Sequence, residues 1–572
     1  MNEYTLNENQ QILLSLLKEY RIRKVVVSPG GTNPALVASM QYDGGFELYS
    51  CVDERSAAYM ACGMAVESGE PVAICCTGAT SSRNYMPALT EAFYRKIPII
   101  AITCSRDSIN IGHLIPQVTD RTKYPGDIIV DGAQLQIIKD ESDRWDVEYK
   151  INRVLQSALH KGGGPVHFNI LCGTQDCGAH RLPEVNVIRR ISKDDPVPDV
   201  PHGNVAIFIG SHKRFCQDEI EVIDKFCESY NGVVFYDHTS LYTGKYGILY
   251  SLIGTQVGHK FHFSEVDLLI HIGEVSGDYK TTNYLLGKET WRISEDGQIR
   301  ITFKKLNYIF EMKEYEFFKK MVALKTVVVP QMFFYNTCRQ TYNEIYNNIP
   351  ELPFSNIWIA KTLAPKMPKY SIIHLAILNS LRSWNFFEVD KSINTYCNVG
   401  GFGIDGCVST LIGASLVHQE KLYFCITGDL AFFYDLNSLG NRHIGNNIRI
   451  LLINNGTGAE FKHFQANNYE VGIDAYIAAS GHFGNKSKTF VHNIATSLGF
   501  KYLFAEDKEG FKHAMQEFVD AKMTDKPMVF EVFTDSKNQS DAWEKLSNIA
   551  IPDAVESLKH SKFGKFVKSI VK

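Results

Sequence analysis

The chain has 572 residues, and 59 Lys and Arg stand against 63 Asp and Glu for a net charge of −4. That near balance lacks the basic excess of a nucleic-acid binder, and no apolar run approaches the roughly 20 residues of a bilayer span. The length implies about three to four domains, each long enough to bury its own core. Thirteen cysteines, odd in number and with no C-x-x-C pair, point away from a disulfide framework or zinc site and toward buried thiols in a reducing cytoplasm.

The first twenty residues lack the charged-then-apolar layout of an export signal. They read as an amphipathic helix with Ile12, Leu13, Leu16 and Leu17 on one face. Apolar runs at residues 24–28 (KVVVS), 71–76 (PVAICC), 97–104 (IPIIAITC) and 165–171 (PVHFNIL) alternate with helical stretches such as 54–67. Near-continuous apolar strands separated by helices indicate a parallel sheet covered on both faces. A polar stretch with three prolines, RRISKDDPVPDVPHGN, reads as a linker. A second α/β unit follows, with strands at 205–210, 233–237 and 266–273, and a third with strands at 423–427, 448–453 and 528–533. The expected architecture is three doubly wound α/β domains, at 1–185, 195–335 and 350–540, with a tail at 541–572.

Ligands of open parallel sheets bind at the carboxyl ends of strands. In the third unit those ends carry Gly428-Asp429 and Asn454-Asn455-Gly456-Thr457, with Asp429 and Asn455 26 residues apart. A carboxylate, an amide oxygen and the Thr457 carbonyl suit Mg²⁺, which binds a few protein oxygens together with phosphate oxygens, and the loops' N–H groups suit a diphosphate. Two ordinary strand-end turns would look the same. In the first unit Asp53 and Glu54 open an alanine-rich helix, a position where carboxylates usually serve as caps.

Several stretches together resemble the thiamine-diphosphate decarboxylase and carboligase superfamily: VVVSPGG, VDERSAAYMACGMA, PVAICCTGATSSRNYMPALTEA, GGFGIDGCVSTLIGAS, ITGDLAFFYDLNSLGNRH and ILLINNGTG. GIDGCVST and GDLAFFYDLN are similar to the menaquinone-pathway synthase branch, which joins decarboxylated 2-oxoglutarate to isochorismate. The resemblance implies pyrimidine-binding, central and diphosphate-binding domains in that order. It also implies a cofactor held between the first domain of one subunit and the third of another, hence a homodimer or homotetramer. Thiamine diphosphate and Mg²⁺ are the implied cofactors. Asp429, Asn455 and Thr457 become the metal ligands, and Thr77, Gly78, Gly403, Ile404, Gly428, Leu430, Ala431 and Gly458 join Glu54, Asp429 and Asn455 around the cofactor. Glu54 becomes the activating carboxyl, sharing a proton with N1′ of the aminopyrimidine and kept protonated by burial.

The chain departs from the branch where arginines hold carboxylate substrates. Thr32, Val399 and about Val417 stand where guanidiniums are expected. Each loss removes charged hydrogen bonds of about 1.5–3 kcal/mol, and the expectation is a rebuilt pocket serving a pathway other than menaquinone synthesis, such as surface-sugar assembly. Arg106 and Gln117 match family active-site positions or are surface loop residues. Glu460 stands where the branch has an apolar side chain; a one-residue loop shift makes it an acid/base group, and otherwise it is a solvated carboxylate. His443 and His463 are candidates for its neighbourhood.

The tail SLKHSKFGKFVKSIVK alternates lysines with apolar residues at helical spacing. It reads as a peripheral membrane helix or as a terminal helix packed on the body. Three functions stay open at this point. One is a cytoplasmic carboligase acting on a 2-oxo acid and an acceptor, one a simple 2-oxo acid decarboxylase, and one a silent homologue that only binds. No nucleic-acid partner is expected.

Overall fold

The computed structural model describes residues 3–121, 123–257, 265–325, 332–460, 474–481 and 487–550. The lysine-rich tail and His463 lie outside them. The chain divides into two compact units, one of residues 1–190 with 306–309 and one of residues 191–305 with 310–572.

The first unit is built on a six-stranded parallel sheet. Its order is Glu47–Ser50, Lys24–Val27, Val72–Thr77, Ile99–Ser105, Val166–Leu171, Asp131–Leu135. The apolar runs read from the sequence are its four central strands, within two residues at each end. Both faces are covered, so Val25 and Val26 are both fully buried although their side chains point to opposite sides. The Glu8–Glu19 helix buries Ile12, Leu13, Leu16 and Leu17 as expected, and Leu14 as well. Burying such a side chain stabilises by roughly 1.5–3 kcal/mol.

The second unit holds two parallel sheets. Five strands of one run in the order Gly247–Leu249, Gly232–Tyr236, Val205–Ile209, Glu265–Ile272, Leu286–Ile293. The other has six strands in the order Asn394–Tyr396, Ile372–Leu375, Tyr423–Gly428, Ile448–Asn454, Met528–Phe533, Lys501–Ala505. These sheets form one unit because a single apolar cluster joins them. It includes Phe235, Tyr250, Phe334, Trp358, Trp384 and Phe530. Among the described residues no helix is long and apolar enough to cross a membrane, and the thirteen cysteines are free thiols.

Both six-stranded sheets reverse strand order beside their first strand in sequence. In the six-stranded sheet of the second unit the reversal falls between Ile372–Leu375 and Tyr423–Gly428. A crevice opens there at the carboxyl ends, where doubly wound sheets take ligands.

Candidate active site

That crevice is a cavity of about 320 Å³, within the range of small-molecule sites. Seven of the residues expected around the cofactor line it: Ile404, Gly428, Asp429, Leu430, Ala431, Asn455 and Gly458. Thr457 and Glu460 line it too. Gly403 precedes Ile404, and a Cβ there would stand 2.5 Å from Asp405 Oδ1.

Asp429 follows the end of its strand directly and is 3% exposed. Its Oδ1 accepts the Leu430 N–H and its Oδ2 the Gly456 N–H, both at 2.8 Å. Burial pushes its carboxyl up to about 7, against the pull of those two N–H groups. Both N–H groups, expected to meet a diphosphate, are thus used to hold the carboxylate. A buried carboxylate pushed this far up is one that a divalent cation would stabilise in its charged form. The Asn455 amide oxygen accepts the Thr457 N–H at 3.2 Å, and Gly456 turns the loop with φ +74°, a conformation that costs glycine little. Asn454, by contrast, turns into the core and donates to Glu531 at 2.8 Å. The donor set of one carboxylate, one amide oxygen and one backbone carbonyl fits Mg²⁺, and the cavity fits the phosphorylated end of thiamine diphosphate.

Sequence reasoning missed the opposite wall. Leu378, with φ +72° and ψ −123°, is a non-glycine residue in a costly conformation, the kind of strain that gathers at functional sites. It leads into the short helix Asn379–Trp384, which carries Arg382. Glu460 is 8% exposed and Arg382 7%, and the two form a direct ion pair. The Asn379 amide, in the orientation that satisfies both its ends, donates to Glu460 Oε2 at 2.8 Å and accepts the Glu460 N–H at 3.0 Å. The solvated reading of Glu460 is therefore wrong, because the carboxylate is buried against a guanidinium. His443 does not join it. It is exposed, its N–H donates to Asn441 at 2.9 Å, and its ring nitrogen takes the Arg442 Nε–H at 3.3 Å.

The first unit presents its candidates on strand-end loops. Asp53 is the helix cap, accepting the Ser56 N–H at 2.8 Å. Glu54 is half-buried and accepts from Asn84 Nδ2 at 3.0 Å. Gly78 donates its N–H to Cys104 O at 2.7 Å, and a Cβ on it would stand 1.9 Å from Ser105 Oγ. Thr77 Oγ1 accepts from Thr32 Oγ1 at 3.2 Å. Arg106 and Gln117 are exposed on the loops after Ile99–Ser105, Gln117 with φ +62°.

Comparison with known proteins follows this geometry. The family described as "Thiamine pyrophosphate enzyme, N-terminal TPP binding domain" matches residues 8–124, and "Thiamine pyrophosphate enzyme, C-terminal TPP binding domain" matches residues 379–532. The chain belongs to the thiamine pyrophosphate enzymes. Within that class it is similar to proteins named 2-succinyl-5-enolpyruvyl-6-hydroxy-3-cyclohexene-1-carboxylate synthase. With the one from Bacteroides thetaiotaomicron it shares 30% identity over 94% of this chain and 97% of the relative. With that from Bacteroides fragilis it shares 29% over 95% and 100%, and with that from Flavobacterium johnsoniae 26% over 92% and 95%.

These full-length likenesses overturn the expectation of a pathway other than that of the synthases. The inference from three missing arginines failed because motif spacing does not determine where guanidiniums sit. Val399 is 4% exposed in the apolar cluster and Val417 is 72% exposed, while the guanidinium beside the cavity, Arg382, comes from a helix outside those motifs.

Proposed function

We propose that this chain, with thiamine diphosphate and Mg²⁺, decarboxylates 2-oxoglutarate and joins the resulting succinyl unit to isochorismate, forming the compound for which its relatives are named. The observation that carries this reading is the crevice at the strand reversal, where Asp429, Asn455 and Thr457 converge on one cavity, taken with the full-length likeness to the synthases.

In this reading Asp429, the Asn455 amide oxygen and the Thr457 carbonyl hold the metal. Glu54 holds a proton against N1′ of the aminopyrimidine. Bound thiamine diphosphate supplies a carbon nucleophile and takes up the electron pair left by CO₂ loss. The apolar wall of Ile377, Ile404 and Ile453 excludes water from the reacting end. Arg106 and Gln117 contact substrate from the first unit.

Glu54 is only half-buried in the chain by itself, and in this reading a second copy covers it. Apolar side chains left bare support that pairing. The Glu54–Ser68 helix exposes Tyr59, Met60 and Val66, and the residues after the Cys407–Ser415 helix expose Leu416 and Val417. The test is mass-spectrometric analysis of the protein with cofactor, Mg²⁺, 2-oxoglutarate and isochorismate. The expected product is the succinyl adduct, formed with one CO₂ per adduct. CO₂ release with no adduct would refute the joining step.

A further inference from the structure

The buried Arg382–Glu460 pair is a feature of the cavity wall that cofactor binding does not explain. Glu460 lines the cavity and Arg382 stands behind it. Arg382 is itself held from several sides. The Tyr279 ring lies 4.9 Å from its guanidinium carbon, and that ring stacks on Phe402 at 5.7 Å. The segment bearing Tyr279 packs closely against the helix that carries Arg382, since a Cβ on Gly277 would stand 2.5 Å from Leu381. Burial pulls the Arg382 guanidinium below its ordinary value, and the nearby Tyr279 and Asp278 oppose that pull. A buried ion pair stabilises little compared with an apolar pair of the same volume, so its presence here calls for another reason.

The hydrogen-bonding capacity of the pair supplies one. An ionised carboxylate only accepts, with about four lone-pair sites on its two oxygens. Arg382 engages one oxygen of Glu460 and Asn379 the other. What remains can serve only a hydrogen-bond donor, and Glu460 lines the cavity that a substrate would enter. A substrate carboxylate offers none at neutral pH, and neither does a ketone, so 2-oxoglutarate brings no donor. The acceptor ring does bring one, the hydroxyl that persists as "6-hydroxy" in the relatives' product name.

We propose that Glu460 is a specificity-determining residue that accepts a hydrogen bond from the hydroxyl of the ring acceptor, and that Arg382 is a positioning residue that fixes its carboxylate in the cavity wall. The inference rests on the reading given under Proposed function. Arg382 contributes through geometry. Its planar fork, backed by an aromatic ring, holds one carboxylate orientation, which an ammonium on a flexible stem does not.

The test uses the cofactor-loaded full chain and reads three quantities: KM for isochorismate, KM for 2-oxoglutarate, and calorimetric affinity for isochorismate. Losing one hydrogen bond to a charged group corresponds to a change of about ten- to a hundredfold. Glu460→Gln is expected to raise the isochorismate KM by about that factor and to weaken its binding in parallel, with the 2-oxoglutarate KM changing less than about threefold. Arg382→Met should reproduce the pattern, and Arg382→Lys should recover part of it. Because Arg382→Met strands a buried carboxylate, the double variant Arg382→Met/Glu460→Leu is made beside it. It should fold as the parent does and still show the raised isochorismate KM. An unchanged isochorismate KM and affinity in Glu460→Gln, or equal effects on both substrates, overturns the proposal. A parent protein that binds isochorismate yet forms no adduct overturns the proposed reaction and not this inference. One that fails to bind isochorismate overturns both.

Discussion

The first sheet and the last are variations on one plan, yet they end differently. Both are six-stranded, parallel and reversed beside their first strand. In the first, the strand-end loops close on each other. A Cβ on Gly30 would stand 1.9 Å from Thr77 Oγ1, and Gly78 bonds across to Cys104. In the last, a cavity opens at the reversal between Ile372–Leu375 and Tyr423–Gly428, and Gly428 has nothing within 4 Å of where a Cβ would be. One sheet therefore offers a packed rim bearing a half-buried carboxylate, Glu54. The other offers a cavity with a metal-type donor set. Neither rim alone carries both the metal-type donor set and the half-buried carboxylate.

The largest effect should come from the first rim. Glu54→Gln keeps the shape but cannot share a proton. C2–H exchange of bound thiamine diphosphate, followed by NMR, should slow by at least about a hundredfold, in the range of acid–base contributions, while cofactor affinity is largely kept. Exchange at the parent rate would remove Glu54 from its role.

Glycine substitutions break the comparison at a second level. Gly30→Ala forces a methyl group into Thr77 and should cost about 1–3 kcal/mol of stability, as overpacking does. Gly428→Ala enters open space and should change thermal stability little, its effect falling on ligand binding. Equal destabilisation by the two in thermal melts would show that the rims do not differ as described.

The last effect appears only on acidification and concerns two buried histidines, one per sheet. Burial pulls His167 down to about 3 and His374 to about 4. Both folded-state values lie below the ordinary 6.5, so the unfolded chain takes up protons first as pH falls. Stability is then complete above about 6.5 and is lost as pH drops toward 4, for His374 by about 3 kcal/mol. His167 has a partner, Thr103 Oγ1 at 2.8 Å, whereas His374 Nε2 has none among the described residues. His374→Leu should therefore flatten the fall in melting temperature between pH 7 and 5 at little cost at pH 7, and His167→Leu should flatten it only with a loss at pH 7. Identical behaviour would refute the assignment.

Much of this was readable from the chain. The strands were legible because doubly covered parallel strands are continuous apolar runs, as in Ile448–Asn454, and the metal-type loops because they follow those runs at once. The union of the central and last sheets was not legible, since Phe334 and Trp358 carry no mark of which sheet they pack against. The Arg382–Glu460 pair was invisible for a similar reason. Its partners are far apart in sequence, and a lone arginine on a six-residue helix reads as a surface charge until the fold turns it inward. The missing arginines misled for the converse reason, since charges counted along motifs ignore those delivered from elsewhere in the fold.

The most direct test of the account is calorimetric titration of thiamine diphosphate into the parent chain and Asp429→Ala, each with and without Mg²⁺. The account predicts binding by the parent that strengthens at least tenfold with Mg²⁺, and binding by Asp429→Ala that is weak and indifferent to the metal. Equal, Mg²⁺-dependent binding by both proteins would contradict it.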